Sequence, residues 1–127
     1  MEAEAKVGVI FGGPGPEHDV SVLTGLQAER CLNDNAVSAT GIYWSKDGDL
    51  YDVGAGLEGV SFNGGVPAGS EPLELHLGRE RGFYRHRRLG RPAGVTFKAV
   101  VVCCHGAPGE CGRLQGLLDL VGVPYTG

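Results

Sequence analysis

The N-terminal part of the chain alternates between apolar runs and a helical pattern. Residues 6–11 (KVGVIF) form a nearly continuous apolar stretch that stops at a Gly- and Pro-rich segment, which is typical of a buried parallel strand followed by a ligand-side loop. Residues 19–33 have apolar positions at a spacing of three to four, which predicts a helix, although Gly25 interrupts this spacing. Residues 36–44 predict a second strand. This order is typical of a right-handed βαβ unit with parallel strands.

The middle of the chain predicts small antiparallel ribbons joined by surface loops. Residues 46–49 have turn composition, and residues 50–53 return from that turn as one hairpin. Residues 82–85, with a partner near 87–89, predict a second ribbon. Residues 54–78 are weakly patterned and rich in Gly, Pro and Ser, so we expect a surface excursion there.

The C-terminal part repeats the order of strand, loop and helix. Residues 97–104 (FKAVVVCC) contain three consecutive valines, which predicts a strand buried on both faces. After the loop at 105–112, leucines at helical spacing predict a helix over 114–121 that ends at Gly122, and a further strand begins at Val123. The patterns together predict an α/β fold, an open and mostly parallel sheet with flanking helices and small β-hairpin insertions.

Size and composition are those of one ordinary domain, residues 1–127. The chain is 42% hydrophobic and 20% charged, which argues against a disordered chain or a coiled coil. The net charge of −4 argues against a broad nucleic-acid-binding face, although six arginines lie among aromatic residues in 79–91, where a solvated hairpin is the favoured interpretation. The longest wholly apolar run, 99–104, is too short to span a membrane.

The N-terminus and the cysteines indicate a cytoplasmic protein. The first residues are acidic and lack the basic region of a signal peptide. The four cysteines lack the spacing of a disulfide framework or a structural zinc site, so we expect reduced thiols and no metal site in this domain.

Two loops follow predicted parallel strands and therefore share the edge of the sheet at which such folds bind ligands. The first, residues 12–18, matches a dinucleotide-binding fingerprint only in part, because it lacks the third glycine and contains two prolines without an N–H. Glu17 in this loop disfavours a phosphate and suits an ammonium group. Asp19 and Ser21 are the candidate N-caps of the helix that follows.

The charged residues of the two loops have two interpretations. Glu17 and Glu110 either complement the dipole of the helix that each precedes or bind a ligand. His105 is either a hydrogen-bonded residue at a strand end or a ligand-facing residue. The residues alone predict only that these two acids and two histidines, His18 and His105, face one crevice.

Three segments resemble the D-alanine–D-alanine ligases. Residues 11–21 (FGGPGPEHDVS) resemble the opening motif of that family, and residues 105–116 (HGAPGECGRLQG) resemble its first signature. Residues 117–127 are similar to the family segment on the C-terminal side of that signature, and ribbons at 45–53 and 81–89 suit the longer-insert branch. The resemblance spans the whole chain and is more specific in the first and last thirds than in the middle.

The resemblance implies the Rossmann-like pre-ATP-grasp domain of a longer ligase, whose central and C-terminal domains are absent from this chain. In the whole enzyme ATP phosphorylates one D-alanine, a second D-alanine attacks the acyl phosphate, and Mg²⁺ neutralises charge on the phosphates, which supplies a peptidoglycan precursor. The implied partners are the D-alanine substrates and the remaining domains, with a homodimer as an option. The fragment alone would bind neither cofactor and would be inactive. A non-catalytic amino-acid-binding module and a ligase for another dipeptide or depsipeptide remain alternatives.

By the same resemblance, Glu17 is the catalytic residue, because it would bind the ammonium of the first substrate. The implied substrate-binding residues are His105, Ser21, Glu110, Gly12 and Gly13.

The chain departs from the family motifs at two places. Gly15 stands where the family usually has serine, and the usual Glu-Asp-Gly is Glu110-Cys111-Gly112. The lost acid leaves the second substrate open between D-alanine, D-serine and D-lactate. Because Cys111 precedes a helix in a glycine-flanked loop, we expect it to be the most reactive thiol.

Overall fold

The computed structural model describes residues 5–104 and 113–126, except for the side chain of Arg113. The strands are β1 (Lys6–Gly12), β2 (Ala39–Trp44), β3 (Leu50–Gly54), β4 (Glu71–His76), β5 (Gly82–Arg85), β6 (Ala93–Val95), β7 (Phe97–Val102) and β8 (Tyr125–Thr126). The helices are α1 (His18–Asp34), α2 (Arg113–Leu120) and a short 3₁₀ helix at Gly59–Phe62. Within these described ranges, no helix is both long and apolar enough to cross a membrane.

The strands form one mixed sheet in the order β6-β5-β4-β3-β2-β1-β7-β8. β1 lies between β2 and β7 and is parallel to both, and β8 is parallel to β7. The pairs from β2 to β6 are all antiparallel. The α/β class is therefore confirmed, but the expectation of a mostly parallel sheet is wrong, because antiparallel pairs outnumber parallel ones in the described part of the chain.

The antiparallel majority arises because the predicted hairpins extend the main sheet instead of forming separate ribbons. β3 pairs with the outer edge of β2, whose backbone N–H and C=O groups would otherwise lack partners. β4 lies within the segment expected to be a surface excursion, and β5 pairs with β4 and β6 instead of with residues 87–89. Leu73 and Phe83 are buried, so these strands add apolar contacts to the core.

The core has two layers, one on each face of the sheet. In β1, Val9 and Phe11 belong to the layer beneath α1, whereas Ile10 belongs to the layer on the opposite face, as the two-residue period of a strand requires. All three are completely buried, which confirms the prediction of a buried strand here. The α1 layer contains Val7, Val9, Phe11, Val22, Leu26, Ala39, Tyr43 and Phe62. The opposite layer includes Ile10, Ile42, Phe97, Val100, Leu114, Leu118 and Val121.

Candidate functional site

The candidate site lies where β1, β2 and β7 end, because the carboxyl ends of parallel strands meet at the same edge of a sheet. The structure places the first loop and the start of α1 at this edge. The second loop, with the predicted site residues His105 and Glu110 and with Cys111, lies outside the described residues.

Gly12 and Gly13 bring the first loop against the end of β2. Both have a left-handed backbone, with φ of 99° and 100°. A Cβ at Gly12 would lie 2.4 Å from the carbonyl oxygen of Trp44, and the amide of Gly13 donates to that same oxygen at 2.7 Å. Only glycine therefore suits the close approach of this loop to the neighbouring strand.

The first loop does not fit the phosphates of a nucleotide. The amide of Gly12 donates to Oγ of Ser21 at 2.8 Å, and that of Gly13 is committed to the carbonyl oxygen of Trp44. The next residue, Pro14, and Pro16 have no N–H to donate. The described residues also contain no cluster of three or more His, Cys, Asp or Glu side chains arranged to hold a metal ion. The first loop therefore has few free amides to offer a phosphate.

Ser21 ties together three elements of the site. Its side chain is completely buried, and Oγ accepts from the amide of Gly12 while donating to the carbonyl oxygen of Cys103 at 2.6 Å. A hydroxyl has one proton to donate, so that proton is committed to the end of β7. The first turn of α1 is thereby linked to both β1 and β7.

Glu17 occupies the N-cap position of α1. Its φ and ψ are −88° and 14°, its carbonyl oxygen accepts from the amide of Ser21 at 3.0 Å, and its side chain makes no capping hydrogen bond. The expectation that Asp19 or Ser21 caps the helix is wrong, because the helix already begins at His18. The Glu17 side chain is exposed at the positive end of the helix dipole, which stabilises a carboxylate there.

His18 and Tyr43 form a buried pair that the sequence did not predict. Nε2 of His18 lies 2.8 Å from the hydroxyl of Tyr43, and Nδ1 lies 2.9 Å from Oδ1 of Asp19. The two rings meet edge to face at 5.5 Å between centroids. His18, which was expected to face one crevice with His105, is therefore directed towards β2. In the sequence, this pair is marked only by a histidine after the first loop and a tyrosine near the end of the next predicted strand.

The electrostatics of this pair are set by burial and by Asp19. Burial raises the pKa of the Tyr43 hydroxyl, and the charge of Asp19 raises it further. The hydrogen bond from His18 lowers the pKa of Asp19, and the nearby Lys46 lowers it further. At neutral pH the tyrosine is therefore protonated and the aspartate is ionised.

An open groove of about 850 Å³ lies beside this pair. Its walls are the first turns of α1, the end of β2 with the turn that follows, and the 3₁₀ helix. His18, Tyr43 and Lys46 contribute polar groups to the wall, while Val22 and Phe62 contribute apolar surface. The side chains of Glu17 and Ser21 are not among the residues that line this groove.

The fold and the strand-end loop define an α/β domain with a Gly-rich turn and an acid at the start of the first helix. Residues 6–127 match the family model described as D-ala D-ala ligase N-terminus, and the chain belongs to that family. The recognition made from the loop motifs is therefore confirmed.

Named relatives show the same assignment. The D-alanine–D-alanine ligase of Bifidobacterium adolescentis is 33% identical over 134 residues, which cover 98% of this chain and 35% of that protein. The crystal structure of a D-Ala:D-Ser ligase from Enterococcus faecalis is similar with a TM-score of 0.70 and 25% identity, over 97% of this chain and 35% of that one. The crystal structure of a D-alanine–D-alanine ligase from Aeromonas hydrophila is similar with a TM-score of 0.66 and 27% identity, over 98% of this chain and 38% of that one. The chain spans about a third of the length of the curated relatives it matches.

Proposed function

We propose that this chain is the substrate-binding N-terminal domain of an ATP-dependent ligase that joins two D-alanines for peptidoglycan precursor synthesis. The observation that carries the proposal is the family match over residues 6–127. The relatives are about three times as long, so the proposal places the central and C-terminal ATP-grasp domains in the rest of the enzyme. We place ATP and Mg²⁺ in those domains, because the first loop here has few free amides to offer a phosphate, and we propose that the chain alone does not catalyse.

Glu17 is proposed to bind the ammonium of the first D-alanine. Its carboxylate is exposed at the edge where β1, β2 and β7 end, and no capping hydrogen bond holds it to the helix. An ammonium beside a carboxylate is stabilised by Coulomb attraction, and this attraction becomes stronger as the surrounding water is excluded. Closure of the rest of the enzyme over this edge would supply that exclusion.

The other proposed residues shape the site around Glu17. Ser21 acts by holding the ends of β1 and β7 together, because both hydrogen bonds of its hydroxyl are made within the protein. Gly12 and Gly13 act by keeping the loop close to β2 rather than by donating their amides to the substrate. His105 and Glu110 are proposed to face the substrates from the second loop.

The test is steady-state kinetics of the full-length ligase with Glu17→Gln. Losing one charged partner in a shielded site is expected to lower kcat/KM for D-alanine roughly 100-fold or more. Glu80→Gln is the matched control, since Glu80 is an exposed acid in the loop between β4 and β5, and it should leave kcat/KM unchanged. Wild-type kinetics in the Glu17 variant would refute the assignment.

A second candidate is a ligase that joins D-alanine to D-serine. The structural similarity to the Enterococcus faecalis D-Ala:D-Ser ligase favours it. Product analysis of the full-length enzyme supplied with D-alanine together with D-serine or D-lactate separates these candidates. If no phosphate is released with any of these substrates and Mg-ATP, the non-catalytic binding module is favoured instead.

A further inference from the structure

The side chain next to the proposed substrate-binding carboxylate is anchored inside the protein. His18 follows Glu17 directly and is the first residue of α1, yet it is only 5% exposed. Its ring uses both nitrogens, Nδ1 towards Asp19 at 2.9 Å and Nε2 towards the hydroxyl of Tyr43 at 2.8 Å. A buried side chain with two hydrogen-bond partners restricts the backbone that carries it, and here that backbone continues into Glu17.

The chemistry of the two partners selects one tautomer of the neutral ring. An ionised carboxylate only accepts hydrogen bonds, so Nδ1 of His18 must carry the proton that it shares with Asp19. Nε2 is then an acceptor, and the hydroxyl of Tyr43 donates to it. The directions of these two hydrogen bonds are mutually consistent, because Asp19 is ionised and Tyr43 is protonated at neutral pH.

Tyr43 is itself fixed to the sheet. It is 2% exposed and lies beside Phe11 in the register of β2 against β1. Its ring centroid is 4.9 Å from that of Phe62 and 6.1 Å from that of Phe11. The hydroxyl that holds His18 therefore has little freedom to move.

Two residues in the first turn of α1, directly after Glu17, are anchored to different strands. Ser21 links this turn to the ends of β1 and β7. His18 links the same turn to β2 through Tyr43. The backbone that carries Glu17 is thus tied to β1, β2 and β7, although the Glu17 side chain makes no capping hydrogen bond.

We propose that His18 and Tyr43 are positioning residues, and that their hydrogen bond fixes the carboxylate of Glu17 for the amino group of the first amino-acid substrate. This inference rests on the proposed function. It assigns a role in substrate affinity to two side chains that do not themselves meet the substrate. It also predicts that removing a single buried hydroxyl on β2 weakens a site on the neighbouring loop.

The first experiment is the Tyr43→Phe variant of the full-length ligase, which keeps the ring and removes only the hydroxyl. KM for the first D-alanine is expected to rise roughly 3- to 10-fold, the size of one net hydrogen bond, while kcat changes less. Tyr84→Phe is the matched control, because Tyr84 also donates one hydroxyl hydrogen bond, to the carbonyl oxygen of Glu80 far from the site. A wild-type KM in Tyr43→Phe, or an equal rise in the control, would overturn the proposal.

A double-mutant cycle tests whether the two residues act as one unit. If His18 acts through Tyr43, the double variant His18→Phe/Tyr43→Phe should have about the same KM as His18→Phe alone. Multiplied effects of the two changes would overturn the coupling. If His18→Phe fails to fold, the Tyr43→Phe result decides the proposal.

A second readout does not depend on ligase activity. In the 127-residue chain, long-range ¹H–¹⁵N NMR correlations of the His18 ring should show the proton on Nδ1, and Tyr43→Phe should shift the Nε2 resonance. A proton on Nε2 alone in the neutral wild-type ring would overturn the arrangement. Failure of Glu17→Gln to impair the enzyme would instead refute the proposed function, so the two outcomes are distinguishable.

Discussion

Gly25 of α1 lies so close to Phe11 of β1 that no side chain fits between them. A Cβ at Gly25 would lie 2.3 Å from Cβ of Phe11 and 2.4 Å from its Cγ, whereas carbon atoms in contact are about 3.5–4.0 Å apart. The absence of a side chain at this position therefore sets how closely the helix packs on the sheet. Since α1 begins directly after Glu17, the same contact bears on where the backbone of Glu17 lies relative to the strands.

The first prediction is that Gly25→Ala destabilises the chain. The methyl group would meet the fixed part of Phe11, whose ring is already packed against Phe62 at 5.6 Å between centroids. Either the helix moves outwards or the core rearranges, and overpacking of this kind costs about 1–3 kcal/mol or more. Urea unfolding of the 127-residue chain measures the loss.

Gly116→Ala is the matched control for this substitution. Gly116 lies within α2, is exposed, and has no atom within 4 Å of the position of an added Cβ. Alanine is the better helix former, so the free energy of unfolding should rise by about 0.5–1 kcal/mol. Equal effects of the two substitutions would contradict the packing explanation for Gly25.

The sequence predicted the parallel part of the fold well, because its signals are local. The apolar run of β1, the spacing of α1 and the three valines of β7 each identify an element from adjacent residues. Gly25 was interpreted as an interruption of the helical pattern, since a sequence shows a residue type without showing what it faces. Its actual role depends on Phe11, which belongs to another element.

The sheet extension and the histidine anchor depend on contacts between distant segments. In β4 only Leu73 is buried, so the strand pattern is weak, and β4 forms by pairing with the open edge of β3 and with β5. The bond between His18 and Tyr43 requires the register of β2 on β1, which no local pattern encodes. Glu17 could be selected from the sequence as a candidate, whereas the hydrogen-bonded pair of His18 and Tyr43 could not.

The second prediction concerns the hydroxyl of Ser21. Ser21→Ala leaves the amide of Gly12 and the carbonyl of Cys103 without their partner in a buried position, which is expected to cost about 1–3 kcal/mol. Ser38→Ala, at an exposed position, should change the free energy of unfolding by less than about 0.5 kcal/mol. Urea unfolding compares the two. A neutral Ser21→Ala would mean that the hydroxyl does not link the strand ends.

The third prediction is a pH dependence carried by Glu74 on β4. Its carboxylate lies 2.7 Å from Nε2 of His76 and 2.6 Å from Nδ1 of His86. The hydrogen bond from His76 lowers the pKa of Glu74, and that from His86 lowers it further. Because the pKa is lower in the folded state, the carboxylate stabilises the fold above its ordinary pKa, and this stabilisation is lost as the pH falls through the lowered value.

The test is the urea midpoint of wild type and Glu74→Gln as a function of pH. The wild type should be the more stable at neutral pH, and the difference should shrink below the ordinary pKa of a glutamate. Glu80→Gln, which changes an exposed acid of a loop, should follow the wild-type curve. A difference that stays constant down to the acid limit would show that Glu74 contributes through its shape and not through its charge.

The last prediction orders the reactivity of the thiols. Cys31 is exposed on α1, so it is open to reagents. Burial raises the pKa of Cys103, and burial followed by the charge of Cys103 raises the pKa of Cys104 to about 12. The thiolate is the form that reacts, so Cys31 should be alkylated first of these three and Cys104 last.

Timed alkylation with mass mapping measures the order, and the same reaction in denaturant, where all the thiols should react alike, is the control. Early labelling of Cys104 would contradict its burial, whereas labelling of Cys111 ahead of Cys31 would support the sequence-based expectation for the second loop.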